Sequence, residues 1–297
     1  MPQPFEGFSV SVPATSANLG PGFDAVGIAL GLRIRARIEP ARAFELRFEP
    51  GPQAPTRAGL GEAIVRAMER VAPGLPRARI VVENRIPLGK GLGSSAAAAV
   101  LGIAISARVR GIALPKAAAA RLASEIEGHP DNALPAVFGG AVIASSHERF
   151  GYVRVPLNRE LRALVVVPAF DLATDASRAL LPESYDRADV VFTAQRAALL
   201  GAALASGSWN ELRAAMCDRI HQPFRAPHIP GMEAALEQRS RYLLGVAISG
   251  AGPSVIALMR AGSPWRDAAE KLRGCFSRAG VASEALHLAI GGRGVAA

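Results

Sequence analysis

PLGKGLGSSAAAAV, residues 87–100, runs a glycine-rich turn into two serines and then into an apolar, alanine-rich stretch. Gly89, Gly91 and Gly93 remove side chains where a backbone has to curl around a ligand. Ser94 and Ser95 open the following helix. Its first amides lack intrahelical partners and sit at the positive end of the helix dipole, where a phosphate is favoured. The order differs from the P-loop pattern G-x-x-x-x-G-K-[ST], because Lys90 precedes the last two glycines instead of following them. An ordinary strand-to-helix turn with a serine cap is the plainer reading of this stretch taken alone.

Two other stretches have the same character. VPATSANLGPGFDAVGIAL (12–30) packs Thr15, Ser16, Asn18 and Asp24 around Gly20, Pro21 and Gly22. GVAISGAGPSVIAL (245–258) sets a turn, Gly250 to Gly252, between two apolar runs. Three such turns, each joined to a buried element, predict one composite active site.

Around these turns the chain reads as an α+β protein. RIRARIEP (33–40) and FELRFEP (44–50) alternate apolar and charged residues as half-buried strands do, and ARIVVENRIP (78–87) is a third strand. Helices are expected at 62–72, 94–110 and 115–128, with Gly111 as the stop of the second and Pro115 suited to the first turn of the third. RALVVVP (162–168) is a central strand. Helical stretches at 186–205, 208–220 and 230–241 follow, then strands at 245–249 and 254–259, a helix at 264–279 and a strand at 284–290. Strand, helices, two strands, helix, strand is the split βαβ order. The boundary between the halves is expected near residue 158.

Composition excludes several classes. The chain has 297 residues, half of them apolar and a fifth charged, so it buries a large core. The net charge of +9 does not point to nucleic acid: only three of the 34 basic residues are lysine, the arginines are scattered, and no aromatic residues interleave them. The longest apolar run, 96–107, is too short to cross a membrane. The N-terminus carries no basic and apolar leader pattern, so no secretory signal is expected. Cys217 and Cys275 make no metal or disulfide pattern and read as reduced thiols of a cytoplasmic protein.

Pro87 to Ala97 match the motif P-x-x-x-G-L-G-S-S-A-A letter for letter, and the chain resembles the GHMP kinases, which phosphorylate small alcohols with ATP. The opening and closing turns fit the same family, so the resemblance covers nearly the whole chain. IEGHPDN (126–132), DRIHQPFRAPHIPG (218–231) and SGAGPS (249–254) are similar to its branch acting on L-homoserine. The resemblance implies a two-domain α+β fold: residues 1–158 with a mixed sheet and helices for ATP, and residues 159–297 as a ferredoxin-like split βαβ domain. It also implies a homodimer by family habit.

The resemblance assigns roles residue by residue. ATP is held by Pro87, Leu88, Gly89, Lys90, Gly91, Leu92, Gly93, Ser94, Ser95, Ala96 and Ala97, with Thr174 near the transferred phosphate. Mg2+ is held by Ser95 and Glu127, with Glu125 the second choice for the carboxylate. The substrate site is formed by Asn18, Asp24, His129, Asn132, Arg178 and Arg225. Asn18, Asn132, Arg178 and Thr174 stand closest to the chemistry. A zwitterion suits this set: a carboxylate wants a forked guanidinium, and an ammonium wants the Asp24 carboxylate. In-line attack by the substrate hydroxyl needs no base, since positioning and charge neutralisation do most of the work, and Asp131 is the one nearby carboxylate that could act as one. Glu62 stands where the family usually has an Asn near the adenine. Another small alcohol such as mevalonate, or a non-catalytic ligand sensor, are the competing readings. The zwitterion set argues against the first, and retention of Ser95 and Glu127 against the second.

Overall fold

The computed structural model describes residues 5–51, 59–146, 148, 150–157 and 160–296. The described chain forms two sheets. The first contains β1 (Phe8–Asn18), β2 (Gly22–Pro40), β3 (Glu45–Phe48), β4 (Ala78–Asn84), β5 (Ala141–Ser145) and β6 (Gly151–Val155). Its order is β3-β4-β2-β5-β6, with β1 paired antiparallel to β2. β3 runs parallel to β4 and the other pairs are antiparallel, so the sheet is mixed, as expected. Helices α1 (Leu60–Val71), α2 (Ser94–Val109), α3 (Lys116–Glu127) and α4 (Pro130–Phe138) pack with it.

The second sheet contains β7 (Leu161–Pro168), β8 (Leu243–Ile248), β9 (Val255–Arg260) and β10 (Ser283–Ala289) in the antiparallel order β10-β7-β9-β8. With α10 (Trp265–Arg278) between β9 and β10, this is the ferredoxin-like order. Apart from Arg162, β7 is apolar because both its faces are covered. Leu161, Ala163, Val165 and Val167 join the core of the first sheet, while Leu164 and Val166 face a second core with α9 (Met232–Leu236) and α10. The expected boundary between residues 158 and 159 lies outside the described residues.

Several elements differ from expectation. β1, α4, β5, β6 and the short helices α5 (Thr174–Ala179) and α8 (Gln222–Arg225) were not predicted. β2 is one 19-residue strand, of which the charge alternation marks only the solvent-facing half. β4 ends at Asn84, three residues before Pro87, because the Asn84 side chain bonds the backbone N–H and carbonyl of Ile86 (3.0 and 2.9 Å) and turns the chain. Pro115 is the N-cap of α3, one residue before the first turn. The expected helix 208–220 breaks into a 3-10 turn and α7 (Leu212–Ala215), since Asp218 captures the amides of Ile220, His221 and Gln222 and starts α8. The expected helix 230–241 is reduced to α9.

α6 (Arg187–Ser206) is long and apolar enough, by length and composition alone, to cross a membrane, which corrects the expectation that no stretch would pass that test. Its Asp189 pairs with Arg219, and Leu200, Ala203 and Leu204 enter the core, as suits a helix packed on the body of the protein. Cys217 and Cys275 are free thiols, as expected.

Candidate active site

The three glycine-rich turns meet. The loop 87–93 leads from β4 into α2, and Gly89, Gly91 and Gly93 all take left-handed backbone conformations (φ +65°, +70° and +66°). The Ser249 hydroxyl donates to the Gly91 carbonyl (2.7 Å) and lies 2.8 Å from that of Ser16. The amide of Thr15 donates to the Leu92 carbonyl (3.1 Å), that of Gly250 to the Ala17 carbonyl (3.0 Å), and the Asn18 side-chain amide to the Gly250 carbonyl (2.9 Å). The predicted composite site is therefore present as a hydrogen-bonded unit.

The glycines divide by role. A Cβ on Gly91 would collide with the Ser249 carbonyl, and one on Gly93 with the Thr15 hydroxyl and Asn132, whereas one on Gly89 would meet nothing within 4 Å. Gly91 and Gly93 thus permit close packing of protein on protein, and only Gly89 faces open space. This narrows the expectation that all three clear room for a ligand.

A cavity of about 350 Å³ opens beside the loop. Of the residues expected there, Asn18, Asp24, Gly89, Gly91, Gly93, Ser94, Ser95, Glu127, His129, Asn132, Thr174, Arg178 and Arg225 line it. Pro87, Leu88, Leu92, Ala96 and Ala97 do not: all but Leu88 are buried, and they shape the loop and the start of α2. Lys90 also points elsewhere, its ammonium donating to the Phe170 carbonyl (2.7 Å) and to Asp171 (2.6 Å). It ties the loop to the segment that precedes α5. Glu62 lies apart, in an apolar groove with Phe44, Leu46 and Phe48.

At one side of the cavity Ser95 Oγ donates to Glu127 Oε1 (2.8 Å). Burial raises the Glu127 carboxyl, opposed by the Ser95 hydrogen bond and by the charges of His129 and Arg66. Glu125 is exposed and paired with Arg121 and Arg70, so of the two candidate carboxylates only Glu127 reaches the cavity. His129 caps α4, and its Nδ1 lies 2.5 Å from Asp131. Burial opposes its protonation, but Asp131, Asp24 and Glu127 together raise its pKa. Asp131 Oδ1 also accepts the Asn132 amide (2.9 Å), so one oxygen of its carboxylate holds both partners. The Thr15 hydroxyl donates to the Asn132 side chain (2.7 Å).

At the other side, Arg178 on α5 forms a two-pronged pair with Asp24, both contacts 2.9 Å. That hydrogen bonding raises the Arg178 pKa against the effect of burial. Arg225 on α8 is 2 % exposed, and no carboxylate among the described residues is within ion-pair distance of it. Its partners are the Ser177 and Gly250 carbonyls (3.3 and 3.4 Å) and His221 Nδ1 (3.2 Å). Burial, then the charge of Arg178, lower its pKa to about 10. Its planar fork has the donor geometry that a carboxylate matches.

Asp131 and, from the third predicted turn, Gly250 and Ala251 also line the cavity; Phe23, Arg66, Ile126 and Asp175 complete the lining and were not singled out by the sequence. Phe23 carries the guanidinium of Arg178 at 5.5 Å and that of Arg225 at 5.3 Å from its ring centre, and stacks on buried His221 at 5.2 Å. Its place beside Asp24 in GPGFD was the available signal.

The glycine loop, the Ser95–Glu127 oxygen pair and the charged pocket thus meet in one cavity on a mixed-sheet plus ferredoxin-like scaffold. Two family models match the chain, GHMP kinases N terminal domain over residues 55–140 and GHMP kinases C terminal over residues 200–282, and the chain belongs to the GHMP kinases. Its relatives over most of the chain are homoserine kinases. That of Solibacter usitatus is 40% identical, covering 97% of this chain and 96% of its own. That of Deinococcus radiodurans is 41% identical, covering 86% and 85%. In fold the chain is similar to the crystal structure of homoserine kinase from Cytophaga hutchinsonii (TM-score 0.79, 24% identity, covering 100% and 98%). It is also similar to that of L. major mevalonate kinase in complex with R-mevalonate (TM-score 0.74, 16% identity, covering 97% and 98%).

Proposed function

We propose that the protein transfers the γ-phosphoryl group of ATP to the side-chain hydroxyl of L-homoserine, giving O-phospho-L-homoserine and ADP, a step of threonine biosynthesis. The observation that carries this reading is the pairing of two charge types in one cavity with the glycine loop. Arg225 offers a buried, unpaired guanidinium, and Asp24 offers a carboxylate. An alcohol bearing both an α-carboxylate and an α-ammonium answers both. Mevalonate would answer only the first.

In this reading the amides at the start of α2 receive the phosphates of ATP, with Gly89 leaving space beside them. Ser95 and Glu127 are hard oxygen donors 2.8 Å apart, a fit for magnesium, which when bound neutralises phosphate charge. Thr174 and Arg178 face the same cavity from α5, Thr174 suited to the transferred group and Arg178 to the substrate carboxylate beside Arg225. The substrate hydroxyl oxygen attacks the γ-phosphorus in line, the bond from that phosphorus to the bridging oxygen of ADP breaks, and the hydroxyl proton departs to solvent. Positioning and charge neutralisation supply most of the rate for a loose phosphoryl transition state. Asp131 is held by His129 and the Asn132 amide, which favours this route over a carboxylate base.

The test is Arg225→Ala, assayed with homoserine and with its amide. A charged hydrogen bond is worth roughly 1.5–3 kcal/mol, so kcat/KM for homoserine is expected to fall at least about tenfold. The KM for ATP stays within about twofold and the amide loses far less. An equal loss for acid and amide contradicts the carboxylate assignment.

A further inference from the structure

The two residues read as taking opposite ends of the substrate are bound to each other in this structure. Arg178 Nη1 and Nη2 meet the two Asp24 oxygens at 2.9 Å each. The side chains are 43% and 33% exposed, within reach of a ligand in the cavity. Their backbones are pinned. Asp24 holds a left-handed conformation (φ +54°), and its amide donates to Asn18 Oδ1 (3.0 Å), while Asn18 is itself tied to the Gly250 carbonyl. α5 is anchored through the Ser177 hydroxyl, which donates to the Ala251 carbonyl (2.8 Å). Opening the pair therefore needs only side-chain rotation.

We propose that the Asp24–Arg178 pair is a charge-exchange latch that selects zwitterions. The proposal rests on the reading of the cavity as an amino-acid alcohol site. A carboxylate beside Arg225 gains the two-pronged face of Arg178 only if Arg178 leaves Asp24, which now occupies that face. Asp24 is then stranded unless an ammonium replaces the guanidinium. A ligand carrying both charges exchanges one internal pair for two new ones. A carboxylate-only ligand strands Asp24, and an ammonium-only ligand strands Arg178 beside Arg225, whose charges already oppose one another. Leaving one member of a partly buried pair uncompensated is costly. The latch thus works against singly charged alcohols, apart from any contact they make.

The latch predicts that removing one partner improves the wrong ligand. Dissociation constants are measured by calorimetry for homoserine, 4-hydroxybutanoate and homoserine amide with the wild type, Asp24→Asn and Arg178→Gln. Asp24→Asn is expected to bind 4-hydroxybutanoate about two- to fivefold tighter than the wild type, the range set by the strength of a partly exposed ion pair, and homoserine more weakly. Arg178→Gln is expected to bind the amide tighter by a similar factor. A gain does not arise from misfolding. As a variant-free arm, methylammonium chloride should tighten 4-hydroxybutanoate binding to the wild type, against sodium chloride at equal ionic strength. Unchanged or weaker binding of the singly charged ligands in the variants, with no methylammonium effect, overturns the latch. If the wild type turns over homoserine with ATP in that case, the proposed function stands and only the latch fails. If it does not, the amino-acid reading itself is wrong.

Discussion

Gly93 and Gly89 occupy the same loop with nearly the same φ, yet their substitution should have opposite consequences. Gly93→Ala places a methyl group against Thr15 and Asn132 in addition to the left-handed strain. Overpacking and strain together cost about 2–4 kcal/mol, so thermal unfolding should show a clear drop in Tm. Gly89→Ala has only the strain, about 1 kcal/mol, and a methyl group in open space. It should keep its fold by circular dichroism while the KM for ATP rises at least about tenfold, beyond what strain explains. A normal KM in Gly89→Ala would contradict the phosphate role of the loop. His221 gives a second residue-level prediction. It is fully buried between Phe23, Arg225 and the Gly20 carbonyl, and burial, helped by Arg225, lowers its pKa. The unfolded chain takes up a proton near pH 6.5 that the folded chain refuses. Stability from this group is therefore intact above about pH 6.5 and lost as pH falls toward the lowered folded value, at up to about 1.4 kcal/mol per pH unit. Urea unfolding at pH 7.5 and 5.5 checks it: His221→Gln should lose this part of the pH dependence. Legibility at this scale followed chemistry. Charged and hydroxyl residues inside motifs were found, but Phe23 and His221 act through packing, which a sequence shows only as an aromatic residue beside a charge.

The elements that aim these residues are short. α5 has six residues and α8 four, below the length at which periodicity marks a helix, so the sequence could not reveal them. What sets α8 is Asp218, with no exposed side-chain surface, accepting three backbone amides. Asp218→Ala should cost about 1–2 kcal/mol as a lost cap, and it should loosen Arg225. The expected result is a raised KM for homoserine with the KM for ATP unchanged, read from steady-state kinetics. Equal effects on both substrates would make the cap a stability feature alone. On α3, helical geometry separates two carboxylates that sequence proximity could not. Glu125 projects toward Arg121 and Arg70, and Glu127, at the last position before Gly128, turns into the cavity. Glu127→Gln should therefore depress activity steeply, with partial recovery at high magnesium, and Glu125→Gln should stay near wild type.

Across the whole molecule, the order of elements in the second half was readable because helical stretches separate β7 from β8 and β9 from β10, and a glycine turn joins β8 to β9. The first sheet was less readable. β1 and the first half of β2 are buried, glycine- and serine-rich strands that look like loop in a propensity reading. The end of the chain also returns to the first sheet, a contact no local pattern announces. Ser11 bridges Ala296, Leu30 bridges Ile290 and Gly139 bridges Arg293. Arg33 fastens this return through the carbonyls of Ser11, Arg293 and Gly294 (2.9, 2.9 and 2.8 Å). A separate long-range contact, Ser249 to Gly91 and Gly250 to Ala17, brings SGAGPS onto PLGKGLGSS beside the cavity. The central claim is the identity of the acceptor. The direct measurement is ATP-dependent ADP release with L-homoserine, L-serine, mevalonate and galactose assayed side by side on the full chain with magnesium. Turnover of homoserine is expected, with serine, mevalonate and galactose at least about a hundredfold lower in kcat/KM, a gap of about 2.7 kcal/mol. Turnover of mevalonate or galactose equal to or above that of homoserine, or ADP release indifferent to all four, would contradict it.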